Sequence, residues 1–330
     1  MDKAISLLFI KEGNNMVFPL KILINIALII TVGVFQAQAQ VIKNTRGEII
    51  KLDPTNSPAQ NFDLSDWSIS LPVDTNKDGV ADNVPETYLS KGLSIKPLFY
   101  TGDDGGMVFY APISGPKTSK NTKYTRTELR EMLRKGNTRV KTTGITENNW
   151  VFSTAKRKIK KKAGGVNGVL EATLAVNHVT TTGSKKQIGR VIIGQIHATN
   201  DEPVRLYYRK LPNNKLGVIY MAHEPVSGDE QWYDLIGSRG DKAENSADGV
   251  ALNEVFSYRI AVSGDALIVT IIRAGKSDVV QEVDMSTSGY SKSDQYMYFK
   301  AGVYNQNNSG DSADYVQATF YQLDNQHKKR

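Results

Sequence analysis

Three short segments of the chain place cations, amides, an imidazole or phenols at every second residue. The first segment holds Arg126, Glu128 and Arg130, and the second holds Gln195 and His197. The third segment has at its alternate positions Tyr296, Tyr298, Lys300, Gly302 and Tyr304. Because side chains two residues apart on a β-strand lie on the same face of a sheet, each segment predicts a strand with one polar face.

The residue types on these faces suit the binding and deprotonation of a chain that carries carboxylates. Arginine has a permanent charge and donors that match a carboxylate, histidine titrates near neutrality, and a tyrosine hydroxyl can donate a proton. The opposite face of the third segment consists of Met297, Phe299, Ala301 and Val303. In the second segment, Ile192 and Ile196 are expected to face away from His197. Side by side in one sheet, the three polar faces would line a groove.

The elements that must position these residues are predicted to be short β-strands. Hairpins are predicted at 206–210 with 216–220 and at 258–262 with 266–272, each around a polar turn. Further strands are predicted at 169–176, 188–197, 296–304 and 315–321. No stretch keeps an apolar period of 3.6 residues over four turns. The fold class expected from this pattern is all-β, a sandwich or a barrel.

The first 39 residues predict a secretory signal peptide. Lys21 precedes an apolar run at 22–35, and Ala37 and Ala39 form a small-x-small cleavage site. Met16 is an alternative start. The expected organisation is a signal peptide at 1–39, a short leader at 40–61 and one domain at 62–330. The location implied is outside the cytoplasm, with no membrane anchor after cleavage.

Composition and charge narrow the function classes further. The 330 residues include no cysteine, which excludes a disulfide scaffold, a cysteine-ligated zinc module and a cysteine nucleophile. The formal net charge is +7. Removal of residues 1–39, which hold three lysines against one aspartate and one glutamate, lowers it by one. A basic exported protein favours anionic partners such as acidic polysaccharide, anionic lipid or nucleic acid.

The three polar segments also carry a family resemblance. Residues 126–130, 195–197 and 298–306 read RTELR, QIH and YFKAGVYNQ. In this order and spacing they resemble the signature strands of the polysaccharide lyase family 7 alginate lyases, and the resemblance extends over about 62–323. It implies a β-jelly-roll sandwich of two antiparallel sheets with a concave substrate cleft. The implied partner is alginate, and a monomer is expected.

The resemblance also implies which residues form the site. The implied catalytic residues are Arg126, Gln195, His197 and Tyr304. The implied substrate-binding and supporting residues are Glu128, Arg130, Lys300 and Gln306. No cofactor is expected to be required for catalysis.

The implied chemistry is β-elimination on 4-linked uronates, in which the C5 proton is removed, the 4-oxygen leaves and a C4–C5 double bond forms. Arg126 and Gln195 are expected to neutralise the uronate carboxylate, the largest electrostatic task in such a reaction. His197 is the expected base and Tyr304 the expected acid. For the epimer whose proton and leaving group share a face, Tyr304 can serve as both. Arg126, Arg130 and Lys300 are expected to lower its pKa for this purpose.

Two further expectations concern the supporting residues. Glu128 is expected to orient Arg126 and Arg130. Arg126 is expected to be solvated, so that Arg126→Ala would remove turnover and leave the fold intact.

One segment outside these strands has the spacing of a metal site. Asp74, Asn76 and Asp78 place oxygen atoms at every second position before Gly79, as in the first half of a calcium loop. Pro85 stands where the bidentate glutamate of such a loop would be expected. Two interpretations are open, a structural Ca²⁺ site or a turn held by Asx hydrogen bonds.

Other stretches are expected to form surface features: a basic run, two candidate loops and the C-terminal tail. The basic run at 156–162 is either an edge strand protected by lysines or a surface that holds substrate. The Gly- and Asp-rich stretches at 100–121 and 222–250 are candidate loops at the ends of the cleft. The last residues, 327–330, are expected to be a frayed basic tail.

Other function classes remain as alternatives. A non-catalytic jelly roll that binds acidic polysaccharide would use the same basic face, but would not need His197 and Tyr304 beside Arg126. A lyase that acts on another polyuronate would use the same chemistry. A nucleic-acid partner is not expected, because the sequence has no recognition-helix pattern and no compact aromatic RNA-binding motif.

Overall fold

The computed structural model of this protein describes residues 42–44 and 46–329. The expected signal peptide at 1–39 lies outside this part of the chain, so its cleavage stays a prediction. Within the described part, the helices are α1 (Pro58–Asn61), α2 (Glu86–Leu89) and α3 (Arg157–Lys160). None of the described helices is long and apolar enough to cross a membrane.

Sixteen strands account for most of the regular secondary structure in the described chain. The first eight are β1 (Trp67–Leu71), β2 (Asp82–Val84), β3 (Phe99–Thr101), β4 (Met107–Pro112), β5 (Arg126–Glu131), β6 (Trp150–Val151), β7 (Gly165–His178) and β8 (Arg190–His197). The others are β9 (Val204–Arg209), β10 (Val218–His223), β11 (Gln231–Ile236), β12 (Val255–Ser263), β13 (Ala266–Ile272), β14 (Val279–Asp284), β15 (Tyr298–Asn305) and β16 (Tyr315–Lys328).

The strands form two sheets, whose neighbours pair antiparallel except where the short β6 pairs parallel with β7. The site sheet has the order β11-β10-β9-β8-β15-β5-β1-β2. The back sheet has the order β14-β13-β12-β7-β16-β4-β3. Both predicted hairpins are present, as β9–β10 and β12–β13. The expected all-β sandwich of two antiparallel sheets is therefore confirmed.

The three polar segments lie on neighbouring strands in the middle of the site sheet. β15 pairs with β8 on one side and with β5 on the other. Lys300 is opposite Gln195 and Arg130, and Tyr304 is opposite Arg126. Residues far apart in the sequence therefore meet because they share a register.

Apolar residues of both sheets fill the space between them. On β15, Phe299, Ala301 and Val303 are fully buried, as their alternation predicts. Large side chains from other elements join them in the same cluster, including Trp150 and Phe109. Because this face of β15 packs in the core, the polar side chains of β15 must lie on the outer face of the site sheet.

A β-bulge in β8 changes which residues reach that outer face. Ile192 pairs with Tyr207 and Gly194 pairs with Leu206, so β8 has one extra residue at this point. Ile193 and Gly194 both face the core, where the hydroxyl of Tyr258 donates to the Ile193 carbonyl at 3.0 Å. A Cβ on Gly194 would lie 2.7 Å from that hydroxyl oxygen, so only glycine fits without displacement.

The bulge overturns the expectation that Ile192 faces away from the polar residues. Ile192 packs on the outer face with Tyr207 and Tyr304, while Ile196 lies in the core as expected. Simple alternation fails here because a bulge inserts one residue and reverses the parity of the strand beyond it.

Other expectations about local structure also need correction. The basic run at 156–162 contains helix α3 with Ile159 buried, so it is not an edge strand. The stretches at 100–121 and 222–250 contain β4 and β11, so they are not loops throughout. In the expected leader, Leu52 packs against the core, and Asn61 donates to the Gly105 carbonyl at 3.0 Å.

His327 belongs to β16 rather than to a frayed tail. Its Nε2 lies 2.7 Å from a Glu131 carboxylate oxygen, and its Nδ1 lies 2.7 Å from the Asn167 carbonyl oxygen. Both partners are acceptors, so both ring nitrogens carry hydrogen when Glu131 is ionised. Burial opposes the charge on the imidazole, but Glu131 outweighs it and raises the pKa of His327. The buried pair ties β16 of the back sheet to β5 of the site sheet.

This ion pair makes the free energy of unfolding depend on pH. The raised pKa of His327 means that its contribution is fully present below about pH 6.5 and is lost as pH rises through the folded-state value. We expect the melting temperature to fall between about pH 6 and pH 9, and His327→Gln to reduce that fall. His178→Gln is the control, because His178 has no carboxylate partner in the described chain. Equal pH slopes in wild type and His327→Gln would contradict the assignment.

Candidate active site

A buried carboxylate, Glu128, organises the outer face of the site sheet. The carboxylate oxygens of Glu128 accept from Arg126 Nη1 at 2.9 Å, from Lys300 Nζ and from the side-chain amide of Gln195. The three donors come from β5, β15 and β8, and Glu128 is 1% exposed. Burial opposes the charge on Glu128, but Lys300 and Arg126 outweigh it and lower the pKa of the carboxyl. Glu128 therefore stays ionised and fixes three donors at once.

Arg126 is buried, not solvated as the sequence suggested. Its guanidinium carbon lies 3.6 Å from the centroid of the Tyr304 ring, a stacked cation–π contact. Its Nε is also buried and has no hydrogen-bond partner in the described chain. Removal of this side chain would leave Glu128 with less counter-charge in a buried site. Arg126→Ala is consequently expected to affect stability as well as turnover.

Tyr304 is held between Arg126 and the apolar side chains of Ile192 and Tyr207. Burial raises the pKa of the Tyr304 phenol, and Arg126 only partly offsets this effect. The expectation that nearby cations lower the pKa below its ordinary value is therefore wrong for this state. A phenol with a raised pKa is protonated at neutral pH, which suits an acid.

His197 lies at the end of β8, with its ring stacked on Tyr298 at 5.0 Å between centroids. Its Nδ1 is 2.7 Å from the Ala198 carbonyl oxygen, an acceptor, so Nδ1 carries the hydrogen. Burial, together with the charges of Lys300 and Arg126, lowers the pKa of His197 to about 3. The expectation that His197 titrates near neutrality is therefore wrong for this state. The imidazole stays neutral, and its basic nitrogen is Nε2.

Lys300 is the second cation at Glu128. Burial and the charge of Arg126 lower the pKa of Lys300 to about 8, even though Glu128 stabilises the ammonium form. Two cations therefore compete for one carboxylate in a buried site. The local excess of positive charge favours an incoming anion.

Two of the implied supporting residues lie apart from Glu128. Arg130 stacks on the ring of Tyr298 at 4.0 Å and donates to the Thr142 carbonyl at 2.7 Å, so Glu128 does not orient it. Gln306 follows the end of β15, where its backbone carbonyl accepts from Arg190 at 3.3 Å. Contacts of these two residues with substrate stay predictions.

Sequence reasoning missed a second charged group beside His197. Arg205 on β9 is opposite Gln195 and forms ion pairs with Glu202, Glu224 and Glu230. Alternation along β9 could have placed Arg205 on the outer face. Nothing in the turn-like sequence around Glu202 indicates that its carboxylate reaches the histidine.

The expected calcium loop is held by its own backbone in the structure. The Asp74 carboxylate accepts from the amides of Asp78 and Gly79, and Asp78 accepts from the amide of Val80. This arrangement fits the Asx-turn alternative. No cluster of three or more residues suited to a metal occurs in the described chain. Calcium binding stays a prediction.

The dependence on Glu128 can be measured by its removal. Glu128→Gln leaves Arg126 and Lys300 buried without their counter-charge, so we expect a loss of about 3–5 kcal/mol in the free energy of unfolding. The control is Glu171→Gln, which breaks the half-exposed pair with Arg259 and should cost about 0–1 kcal/mol. Urea unfolding checks both values. Equal costs for the two variants would show that the buried carboxylate does not organise the site.

Comparison with known proteins places this geometry in a family. Residues 62–327 match the family described as alginate lyase. The chain is 59% identical over 276 residues to an alginate lyase of Klebsiella pneumoniae, covering 81% of this chain and 90% of that protein.

Solved structures give the same relation. The crystal structure of the alginate lyase from Klebsiella pneumoniae is similar with a TM-score of 0.81 and 58% identity, covering 82% of this chain and 98% of that one. An alginate lyase from Pseudomonas aeruginosa is similar with a TM-score of 0.59 and 28% identity, covering 80% and 99%. The resemblance drawn from the three polar strands is confirmed, and the chain belongs to the alginate lyases of polysaccharide lyase family 7.

Proposed function

We propose that this chain cleaves alginate by β-elimination on the outer face of the site sheet. The observation that carries the proposal is the joint placement of Arg126, Gln195 and Tyr304 around Glu128, with His197 at the adjoining strand end. Membership of the alginate lyase family supports the same reaction.

The first requirement of the reaction is neutralisation of the uronate carboxylate, since the C5 proton becomes more acidic when that charge is balanced. Arg126 has a buried Nε–H without an acceptor in the described chain, and a bound carboxylate would supply one. The amide of Gln195 donates one hydrogen to Glu128 and keeps a second. Both donors are already held in place, so little reorganisation is needed.

The second requirement is a base for the C5 proton. His197 is neutral with its lone pair on Nε2, because Nδ1 donates to the Ala198 carbonyl. A low pKa in the free protein keeps this nitrogen unprotonated at neutral pH. We assign His197 as the base where the C5 proton and the 4-oxygen lie on opposite faces of the sugar, as in guluronate.

The third requirement is an acid for the 4-oxygen. Tyr304 is protonated at neutral pH, because burial raises its pKa. We assign it as the proton donor. In mannuronate the proton and the leaving group share a face, so Tyr304 would act as base and then as acid. Stacking on Arg126 favours the phenolate that such a step requires.

We also propose an oligomeric state and a location for this protein. The residues assigned above belong to one chain, so we propose a monomer as the active form. We propose export on the basis of the sequence at 1–39, and extracellular or periplasmic action follows from it. A binding module without activity would leave the neutral imidazole and the protonated phenol beside Arg126 without a role.

Tyr304→Phe tests the assignment of the acid. The change removes the hydroxyl and keeps the ring against Arg126, so we expect binding of alginate to persist and turnover to fall by on the order of 100-fold or more. Ultraviolet absorbance of the C4–C5 double bond measures turnover.

Tyr315→Phe is the matched control, because Tyr315 lies on the back sheet and stacks on Tyr110. Full activity of Tyr304→Phe would refute the assignment of the acid. Retention of alginate by wild type without any rise in absorbance would instead identify a binding module, and activity on another polyuronate alone would change the substrate.

A further inference from the structure

A carboxylate lies against the nitrogen assigned as the base. Glu202 follows β8 in the loop that leads to β9, and its Oε1 is 3.3 Å from Nε2 of His197. The other ring nitrogen already faces the Ala198 carbonyl. Both nitrogens of one imidazole therefore face oxygen acceptors, and one proton must lie between Nε2 and Glu202 for the contact to be favourable.

The surroundings place that proton on Glu202. Burial and Glu224 raise the pKa of Glu202 to about 7 against the opposing effect of Arg205, whereas the pKa of His197 falls to about 3. Arg205 lies 3.6 Å from Glu202 but is shared with two other carboxylates. The charged and titratable groups around Glu202 on the neighbouring elements are His197, Arg205, Tyr207, Glu224, Glu230, Tyr290, Lys300 and Tyr304.

Glu202 also has a route to water that Glu128 lacks. The side chain of Glu202 is 19% exposed and that of Glu128 is 1% exposed. Glu128 is moreover occupied by three donors. Among the carboxylates described at the site, Glu202 alone contacts the histidine, and its partial exposure allows proton exchange with solvent.

We propose that Glu202 is a positioning residue and the proton partner of His197, which covers Nε2 in the resting site and accepts the C5 proton from it during turnover. This inference rests on the proposed assignment of His197 as the base. It extends that assignment by naming where the proton goes.

In the proposed step, the C5 proton reaches water through His197 and Glu202. Ionised Glu202 leaves Nε2 with a free lone pair, which forms an N–H bond with the C5 proton while the C5–H electrons form the C4–C5 double bond. The C4–O4 bond breaks, and Tyr304 protonates the leaving oxygen. The Nε2 proton then passes to Glu202 and on to water, and water restores the proton of Tyr304.

Two consequences distinguish this role from a structural one. Protonated Glu202 donates to Nε2 and covers the base, so cleavage of guluronate linkages should rise with pH through the pKa of Glu202, about 7. Cleavage of mannuronate linkages uses Tyr304 as base and should depend less on Glu202. The ratio of the two activities therefore reports on the proton partner.

The experiment measures kcat/KM on guluronate-rich and on mannuronate-rich alginate, from about pH 5 to pH 9, for wild type, Glu202→Gln and Glu202→Ala. Glutamine can cover Nε2 but cannot accept a proton. We expect Glu202→Gln to lower the ratio of guluronate to mannuronate activity by on the order of 100-fold, and both variants to lose the step near pH 7.

The matched control is Glu282→Gln, an exposed carboxylate on β14 of the back sheet. Melting temperatures report whether each variant folds, and Arg205 keeps Glu224 and Glu230 as partners in all of them. Equal losses on both polymers, or a step near pH 7 that persists in both variants, would overturn the proposal. Wild type that forms no unsaturated product on either polymer would overturn the proposed function itself.

Discussion

The arrangement of the outer face depends on the desolvation of one carboxylate. A buried, ionised Glu128 is stable only while Arg126, Lys300 and Gln195 surround it, and each donor comes from a different strand. The pairing of β5, β15 and β8 brings these side chains together, and their contacts with Glu128 in turn stabilise the pairing. Three long polar side chains therefore contact one carboxylate before substrate arrives. The proposed neutralisation of the uronate carboxylate depends on these donors being in place beforehand.

The same desolvation sets the protonation states of the other groups. Burial makes the phenol of Tyr304 a weaker acid and keeps the imidazole of His197 neutral. Arg126 lowers the pKa of both groups, so it opposes burial at Tyr304 and adds to it at His197. One environment therefore prepares a proton donor and a proton acceptor near the same bound sugar. The carboxylate of Glu202, which is more exposed than Glu128, connects the acceptor to solvent.

The sequence predicted the fold class and the three strands of the site because strict alternation is visible without coordinates. Phe299 and Val303 face the core, and Lys300 and Tyr304 face the other side, because they occupy alternate positions of one strand. Alternation failed at Ile192, because a bulge at Ile193 and Gly194 reverses the parity of β8. Side-chain burial was also invisible in the sequence, and this explains the wrong expectations for the solvation of Arg126 and the pKa of Tyr304. Glu202 was missed because its position depends on the path of a loop.

The stoichiometry of the products shows most directly whether the cluster around Glu128 serves elimination or hydrolysis. Alginate is digested by the wild-type protein, and new reducing ends are counted together with C4–C5 double bonds. Elimination requires one double bond for every new reducing end throughout the digestion. New reducing ends without matching ultraviolet absorbance would contradict it, because water rather than the C5 proton would then have taken part in breaking the chain.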